Sequence, residues 1–478
     1  MLQEFVKIAL TLLQDFTRIA LTLLQFRKGA YMFYRCIIDE LKEWSDKRDR
    51  KPLILRGARQ VGKTTAVNIF SKNFENYIYL NLELKKDSEL FDNDLKVKDL
   101  LQLISLSKKI NIKGKTLIFI DEIQNNPNAL AIMRYFYEDL PEYYVIGAGS
   151  MLEIMMGDNQ ISFPVGRVEY RFMYPLSFKE FLIASSNKQA VNLYNQIPIP
   201  KFVIKEMLDL FQKYTMIGGM PEIIKNYFLQ NDLNQLNIYY ESLLISYNDD
   251  ISKYTQSKTM NNIIKHVVET IPSEAGKRIK FQGFGQSNYK SREISEALKI
   301  LQRAMLVKLI YPTTNIIPPI VPNKKKSPKL QYLDTGLLNY SLGLQAYFFS
   351  NDNLHSFYQG ILAEHIVTQE FLARNLKFKA NTHFWVRELK QSNAEVDFVL
   401  QYKNYLIPIE VKSGKSGTLR SLHQFIDMSE HNYAIRLYSG DLIIQETKTP
   451  KGKVYKLLNL PYFLAARIDD YIEWFIEN

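Results

Sequence analysis

Cysteine is all but missing from this chain of 478 residues, where Cys36 stands alone. A single thiol excludes an intramolecular disulfide and a cysteine-rich zinc site, and it fits a reducing, cytoplasmic compartment. The six histidines fall at no zinc-binding spacing. Long apolar runs are also lacking. The most apolar stretch, near the N-terminus, is interrupted by Lys7, Gln14, Asp15 and Arg18, so it falls short of a continuous transmembrane span. No small-residue cleavage site follows a single apolar core there, which argues against a signal peptide. Acidic residues are in deficit: 50 Asp and Glu against 61 Lys and Arg leave a net charge of +11. That balance favours an anionic partner, DNA foremost, with a solvated lysine surface as the alternative.

Within residues 1–31, Ile8-Ala9-Leu10-Thr11-Leu12-Leu13-Gln14 recurs as Ile19-Ala20-Leu21-Thr22-Leu23-Leu24-Gln25. Such a repeat spans close to three helical turns, so both copies place their apolar residues on one helix face. One reading is an amphipathic helix lying on a membrane surface or a partner. The other is a leader from an upstream start codon, with Met32 opening the body of the protein. The rest of the chain is too long for one core and suggests about three domains.

The most informative segment is Gly57-Ala58-Arg59-Gln60-Val61-Gly62-Lys63-Thr64, a complete G-x-x-x-x-G-K-[ST] loop. The apolar run Leu53-Ile54-Leu55 precedes it, and a helix-compatible segment over 65–70 follows, starting at Thr65. A strand that delivers the loop and a helix that leaves it bring backbone N–H groups onto phosphate oxygens. Lys63 is expected to reach the β- and γ-phosphates of ATP, and the Thr64 hydroxyl to ligate Mg²⁺.

The buried-strand pattern Thr116-Leu117-Ile118-Phe119-Ile120 ends in Asp121-Glu122. Asp121 is the expected second Mg²⁺ residue, and Glu122 the expected general base on the attacking water. A third strand over 143–146 runs into Gly147-Ala148-Gly149-Ser150, where Ser150 is either a γ-phosphate sensor or a plain N-cap. Arg167, after Gly166 in a loop, is either a cationic finger on the transferring phosphoryl group or a surface ion-pair partner.

These segments, together with Gly166-Arg167-Val168-Glu169, Tyr174-Pro175-Leu176-Ser177-Phe178 and Gly218-Gly219-Met220-Pro221, resemble the signatures of prokaryotic AAA-family ATPases. The resemblance runs from about Met32 to the C-terminus. It implies an α/β, AAA-type P-loop NTPase core, a helical region, and a C-terminal α/β module similar to PD-(D/E)xK nucleases. The expected layout is a leader (1–31), the ATPase core (32–185), a helical region (186–270), a winged-helix-like module (271–343) and the nuclease-like domain (344–478).

The winged-helix outline comes from a helix over 291–301, a strand over 307–311, a proline- and lysine-rich loop over 318–329, and a strand over 330–333. Lys324, Lys325 and Lys326 occupy the expected wing tip. Such a module either binds DNA or serves interdomain packing.

In the last third, residues 394–400 and 405–412 read as a hairpin. Alternation puts Glu410 and Lys412 on one face of its second strand, and Glu395 and Asp397 together on the first. The set Asp397, Glu410, Lys412 looks like the D…E-x-K core of PD-(D/E)xK nucleases, and Glu364, on the segment 361–371, matches that family's acidic helix position. With a second divalent ion, Mg²⁺ or Mn²⁺, held by Glu364, Asp397 and Glu410, Lys412 is expected to stabilise charge on a phosphate. Without one, Glu410 and Lys412 make an ordinary ion pair and the acids are structural. The function expected is ATP hydrolysis coupled to nucleic acid. The alternative is a non-cleaving ATP-dependent switch that binds DNA or a protein, and either form could be a homo-oligomer.

Overall fold

The short apolar runs become strands covered on both faces. A computed structural model describes residues 33–92, 95–150, 152, 166–255, 257–345, 356–378, 381–389, 392–414 and 418–477. The duplicated leader, Met32 and residues 163–165 lie outside the described residues.

Strands β1 (Leu53–Gly57), β2 (Asn76–Asn81), β3 (Thr116–Asp121), β4 (Tyr144–Gly149) and β5 (Glu169–Met173) form a parallel sheet in the order β2-β3-β4-β1-β5. Leu53, Leu55, Phe119 and Ile146 face one core, while Ile54, Ile118, Ile120 and Val145 face the other. A strand sandwiched in this way needs apolar side chains at every position, which is why its sequence is a continuous run rather than an alternation. The helices Ile37–Asp46 and Lys63–Phe70 contribute to the first core, and Val97–Lys108 and Pro127–Asp139 to the second.

The helices Phe178–Ala184, Ile204–Ile217, Pro221–Gln230 and Asn237–Tyr254 follow. The first is closed by a capping box, with Ser177 and Glu180 satisfying each other's backbone N–H groups. Next, helix Lys258–Glu274 packs on helix Ser291–Arg303. Strand β6 (Val307–Ile310) leads through β7 (Pro312–Thr313) and the basic loop to β8 (Lys329–Tyr332), which pairs antiparallel with β6. Lys329 is therefore a strand residue, not the end of the loop.

The C-terminal sheet contains β9 (His383–Leu389), β10 (Ser392–Tyr402), β11 (Tyr405–Val411), β12 (Tyr433–Tyr438), β13 (Ile443–Lys448) and β14 (Val454–Pro461). Its order is β13-β14-β12-β11-β10-β9-β7, so the preceding module lends it an edge strand. The hairpin read from the sequence is β10–β11, with Phe398 opposite Ile409. Helix Ser356–Ala373 contributes to the core on one face of this sheet and helix Arg420–Met428 to the core on the other.

One apolar cluster runs through all of these parts, from Leu53 through Tyr214 and Leu298 to Ile409 and Phe475. Buried polar ties cross it. Glu370 accepts from the Phe178 N–H at 3.0 Å and the Tyr214 hydroxyl at 2.8 Å, and Asp334 accepts from the Gly219 N–H at 2.5 Å. Among the described residues, no helix is long and apolar enough to cross a membrane.

Candidate nucleotide site and a second acidic cluster

The phosphate loop leaves β1 and enters helix Lys63–Phe70 as the sequence requires. Gly62 sits at φ +94°, a left-handed conformation that β-carbon-bearing residues rarely adopt. At Gly57 a Cβ would come within 2.5 Å of the Met173 carbonyl on β5. The motifs without chemistry of their own frame the loop. Pro221 lies beside Gly62, Leu176 N–H donates to the Gly219 carbonyl at 2.7 Å, and Arg35 donates to the carbonyls of Val61 and Tyr174, each at 2.7 Å.

Lys63 is buried, and its ammonium donates to the Gly57 and Ala58 carbonyls at 3.0 and 2.9 Å. Burial lowers its pKa, against the opposing pull of Glu122 and Asp121. The Thr64 hydroxyl donates to Asp121 Oδ2 at 2.7 Å, and the Tyr79 hydroxyl reaches the same oxygen at 3.2 Å. Asp121 is 4% exposed. Burial raises its pKa, partly offset by the Thr64 hydrogen bond. A desolvated carboxylate beside a hydroxyl, both within one loop of the phosphate cradle, is a donor set suited to Mg²⁺.

Glu122 follows in a left-handed conformation, φ +49°, and its Oε2 accepts from Gln124 Nε2 at 2.5 Å. Ser150 stands at the carboxyl end of β4, which lies between β3 and the P-loop strand β1. Residues from three neighbouring strands thus gather at one end of the sheet. Arg167 does not join them. It precedes β5, whose Glu169 pairs with Leu53 at the amino end of β1, and its Nε binds Glu138 at 2.8 Å. A parallel strand carries its two ends about 3.3 Å per residue apart, so Arg167 is on the far edge from Lys63 of its own chain.

Helix Asn237–Tyr254 closes over the loop. Asp250 pairs with Arg59 and, at 2.9 Å, with Lys253; the Tyr247 hydroxyl donates to the Arg59 carbonyl at 3.1 Å; and Gln60 meets Ser246 at 3.2 Å. Sequence reasoning missed this contact, because Asp250 carries no local signal and lies 191 residues from Arg59.

Residues 49–182 match the AAA domain family. This part of the chain is an AAA-type P-loop domain. Residues 208–347 and 359–463 match two domains of unknown function, DUF8612 and DUF4143. No curated protein matched the chain. Similar solved structures include a Walker-type ATPase of Pyrococcus abyssi, at 14% identity and a TM-score of 0.42, covering 65% of this chain and 96% of that one. The Aeropyrum pernix ORC1 protein in complex with DNA has 12% identity, a TM-score of 0.28 and coverage of 66% and 92%. The Thermotoga maritima RuvB Holliday junction branch migration motor has 14% identity, a TM-score of 0.27 and coverage of 61% and 93%.

The carboxylates of the C-terminal module do converge, but around a lysine. Asp397 Oδ2 accepts from the Val411 N–H at 2.8 Å across β10–β11, and Lys412 Nζ binds Glu410 Oε1 at 2.6 Å. Lys329 Nζ binds Glu364, lies 2.9 Å from Glu395 and 3.7 Å from Asp397. Burial raises the pKa of Glu364 to about 7 and of Glu410 to about 8; Asp397 adds to both shifts, against the pull of Lys329 and Lys412. Burial alone would lower Lys329, yet Glu364, Asp397 and Glu395 outweigh it and hold the ammonium above its ordinary range. Among the described residues, no group of three or more His, Cys, Asp or Glu is arranged to hold a metal. The acids expected to hold a second metal are placed in two pairings: Glu364 and Asp397 face Lys329, and Glu410 binds Lys412. With the Lys329 ammonium bound to Glu364 and 3.7 Å from Asp397, a cation of the chain already faces these two acids. At the wing tip expected from the sequence, Lys326 pairs with Glu388 of β9, while Lys324 and Lys325 are exposed.

Proposed function

We propose that the protein is a Mg²⁺-dependent ATP hydrolase that works as a nucleic-acid-associated switch. The loop 57–64 and Thr65 hold the nucleotide, with Lys63 on the phosphates. Thr64 and Asp121 hold Mg²⁺, which when bound neutralises charge on the phosphate oxygens. Glu122 polarises the attacking water, and Ser150 senses the γ-phosphate. The observation that carries this reading is the 2.7 Å contact between Thr64 and Asp121 at the mouth of the phosphate loop. Since Arg167 lies on the far edge of its own sheet, a finger role for it belongs to a homo-oligomer, in which it serves a neighbour's site.

The nucleic-acid part of the reading rests on the net charge of +11 and on exposed Lys324 and Lys325 in the loop before β8. The helix pair and β6–β8 hairpin then act as a winged helix. For the C-terminal module, the non-cleaving alternative is favoured by Lys329, whose ammonium lies 3.7 Å or less from Glu364, Glu395 and Asp397. A proposed division of the chain at 185, 270 and 343 follows the same functional parts.

The test is the metal dependence of turnover. Thr64→Ala and Asp121→Asn should each raise the Mg²⁺ concentration needed for half-maximal hydrolysis by about tenfold or more. Affinity for ATP measured in excess chelator should stay the same, because the loop and Lys63 are intact. Unchanged Mg²⁺ dependence in both variants would overturn the assignment of the metal residues.

A further inference from the structure

A buried lysine facing three carboxylates is an uncommon arrangement, and its parts come from different modules. Lys329 belongs to β8 of the helix-and-hairpin module and is 6% exposed. Glu364 comes from helix Ser356–Ala373, and Glu395 and Asp397 come from β10. An ammonium has three N–H donors in a compact head, and three carboxylates from the C-terminal module lie 3.7 Å or less from it. Its position is held from outside as well. The Lys329 backbone pairs with Ile310 on β6 and bridges Arg278, while Arg278 itself reaches Glu388 at 2.8 Å and Glu395 at 3.5 Å. Nearby, Glu410 Oε2 is buried without a hydrogen-bond partner.

Charge decides what such a site can tolerate. Carboxylates this close repel unless a cation lies among them, and removing one member of a buried ionic set leaves charge uncompensated. The cation here is supplied by the chain. A divalent ion and the Lys329 ammonium cannot share the same space, so one displaces the other.

We propose that Lys329 is a tethered counter-ion that holds the acidic site of the C-terminal module closed to divalent metal, so that metal enters only when β8 withdraws. This rests on reading Glu364, Asp397 and Glu410 as a nuclease-like acidic site. Strand β8 then links the two modules as a plug, and the C-terminal module in this state is a docking partner for the hairpin rather than a metal-loaded hydrolase.

The experiment is calorimetric titration of Mn²⁺ into nucleotide-free, full-length protein carrying Asp121→Asn, which removes the metal carboxylate of the nucleotide site. That protein should bind no Mn²⁺ at the C-terminal site. Adding Lys329→Met should create one site that the parent protein lacks, and further addition of Asp397→Asn should abolish it. If Lys329→Met does not fold, Glu395→Gln keeps the lysine and removes one of its holders, and it should raise Mn²⁺ affinity. A lower or unchanged affinity there overturns the proposal. Tight, Asp397-dependent binding with Lys329 in place overturns the plug but keeps the acidic-site reading. No binding by any variant overturns both.

Discussion

Lys63 has its ammonium bound by two carbonyls of its own loop, so this buried charge is satisfied before any phosphate arrives. Replacing it removes a charged hydrogen-bonding group that faces the nucleotide. Lys63→Ala should weaken ATP binding itself by about 1.5–3 kcal/mol, read by equilibrium titration with a fluorescent nucleotide. Unaltered affinity would mean that the loop binds phosphate through its backbone alone. Residues of this kind were legible in the sequence because their chemistry is contiguous. The loop from Gly57 to Thr64 and the pair Asp121-Glu122 each carry their own flanking strand. Lys329 was not legible. A lysine at the end of a lysine-rich loop looks solvated, and only the long-range pairing of β8 with β6 turns it inward.

At the scale of elements, the strands, the hairpin and the helix Ser291–Arg303 follow from apolar periodicity, and their bounds differ from the reading by only a few residues. What periodicity does not carry is how one element lies on another. Helix Asn237–Tyr254 lies across the phosphate loop through Asp250 and Tyr247, a contact set by tertiary packing. The basic loop divides in the same way. Lys326 is tied to Glu388, whereas Lys324 and Lys325 face solvent. Phosphate contacts lower affinity uniformly when lost, and each one removed reduces the salt slope by about one. Replacing Lys324 and Lys325 by alanine should therefore weaken binding to unrelated duplexes alike and reduce the slope of log K against log salt by about two. Equal binding and slope in the double variant, measured by anisotropy across a salt series, would take nucleic acid away from this loop.

Among the described residues, one apolar cluster reaches every part of the molecule, and buried polar groups cross it. Glu370 is the clearest case. It is fully buried, and burial raises its pKa from an ordinary 4.5 to about 8, opposed by hydrogen bonds from Tyr214 and Phe178. The native state therefore holds a proton that the unfolded chain releases between these values. Stability is fully present below about 4.5 and is lost as pH rises through about 8. Glu370→Gln, neutral at every pH, should flatten that part of the dependence in thermal unfolding followed from pH 5 to 9. A decline as steep as that of the wild type would place the titration elsewhere.

The AAA-type domain gives the most direct measurement, because a single carboxylate separates binding from turnover. Glu122→Gln keeps the phosphate loop, Lys63 and the Thr64–Asp121 pair, and removes only the carboxylate that would polarise water. Phosphate release measured beside nucleotide binding, on the same preparation with Mg²⁺, decides the matter. The account predicts that the wild type hydrolyses ATP and that Glu122→Gln binds it with similar affinity while turnover falls by about a hundredfold or more. Hydrolysis by Glu122→Gln at the wild-type rate would contradict it.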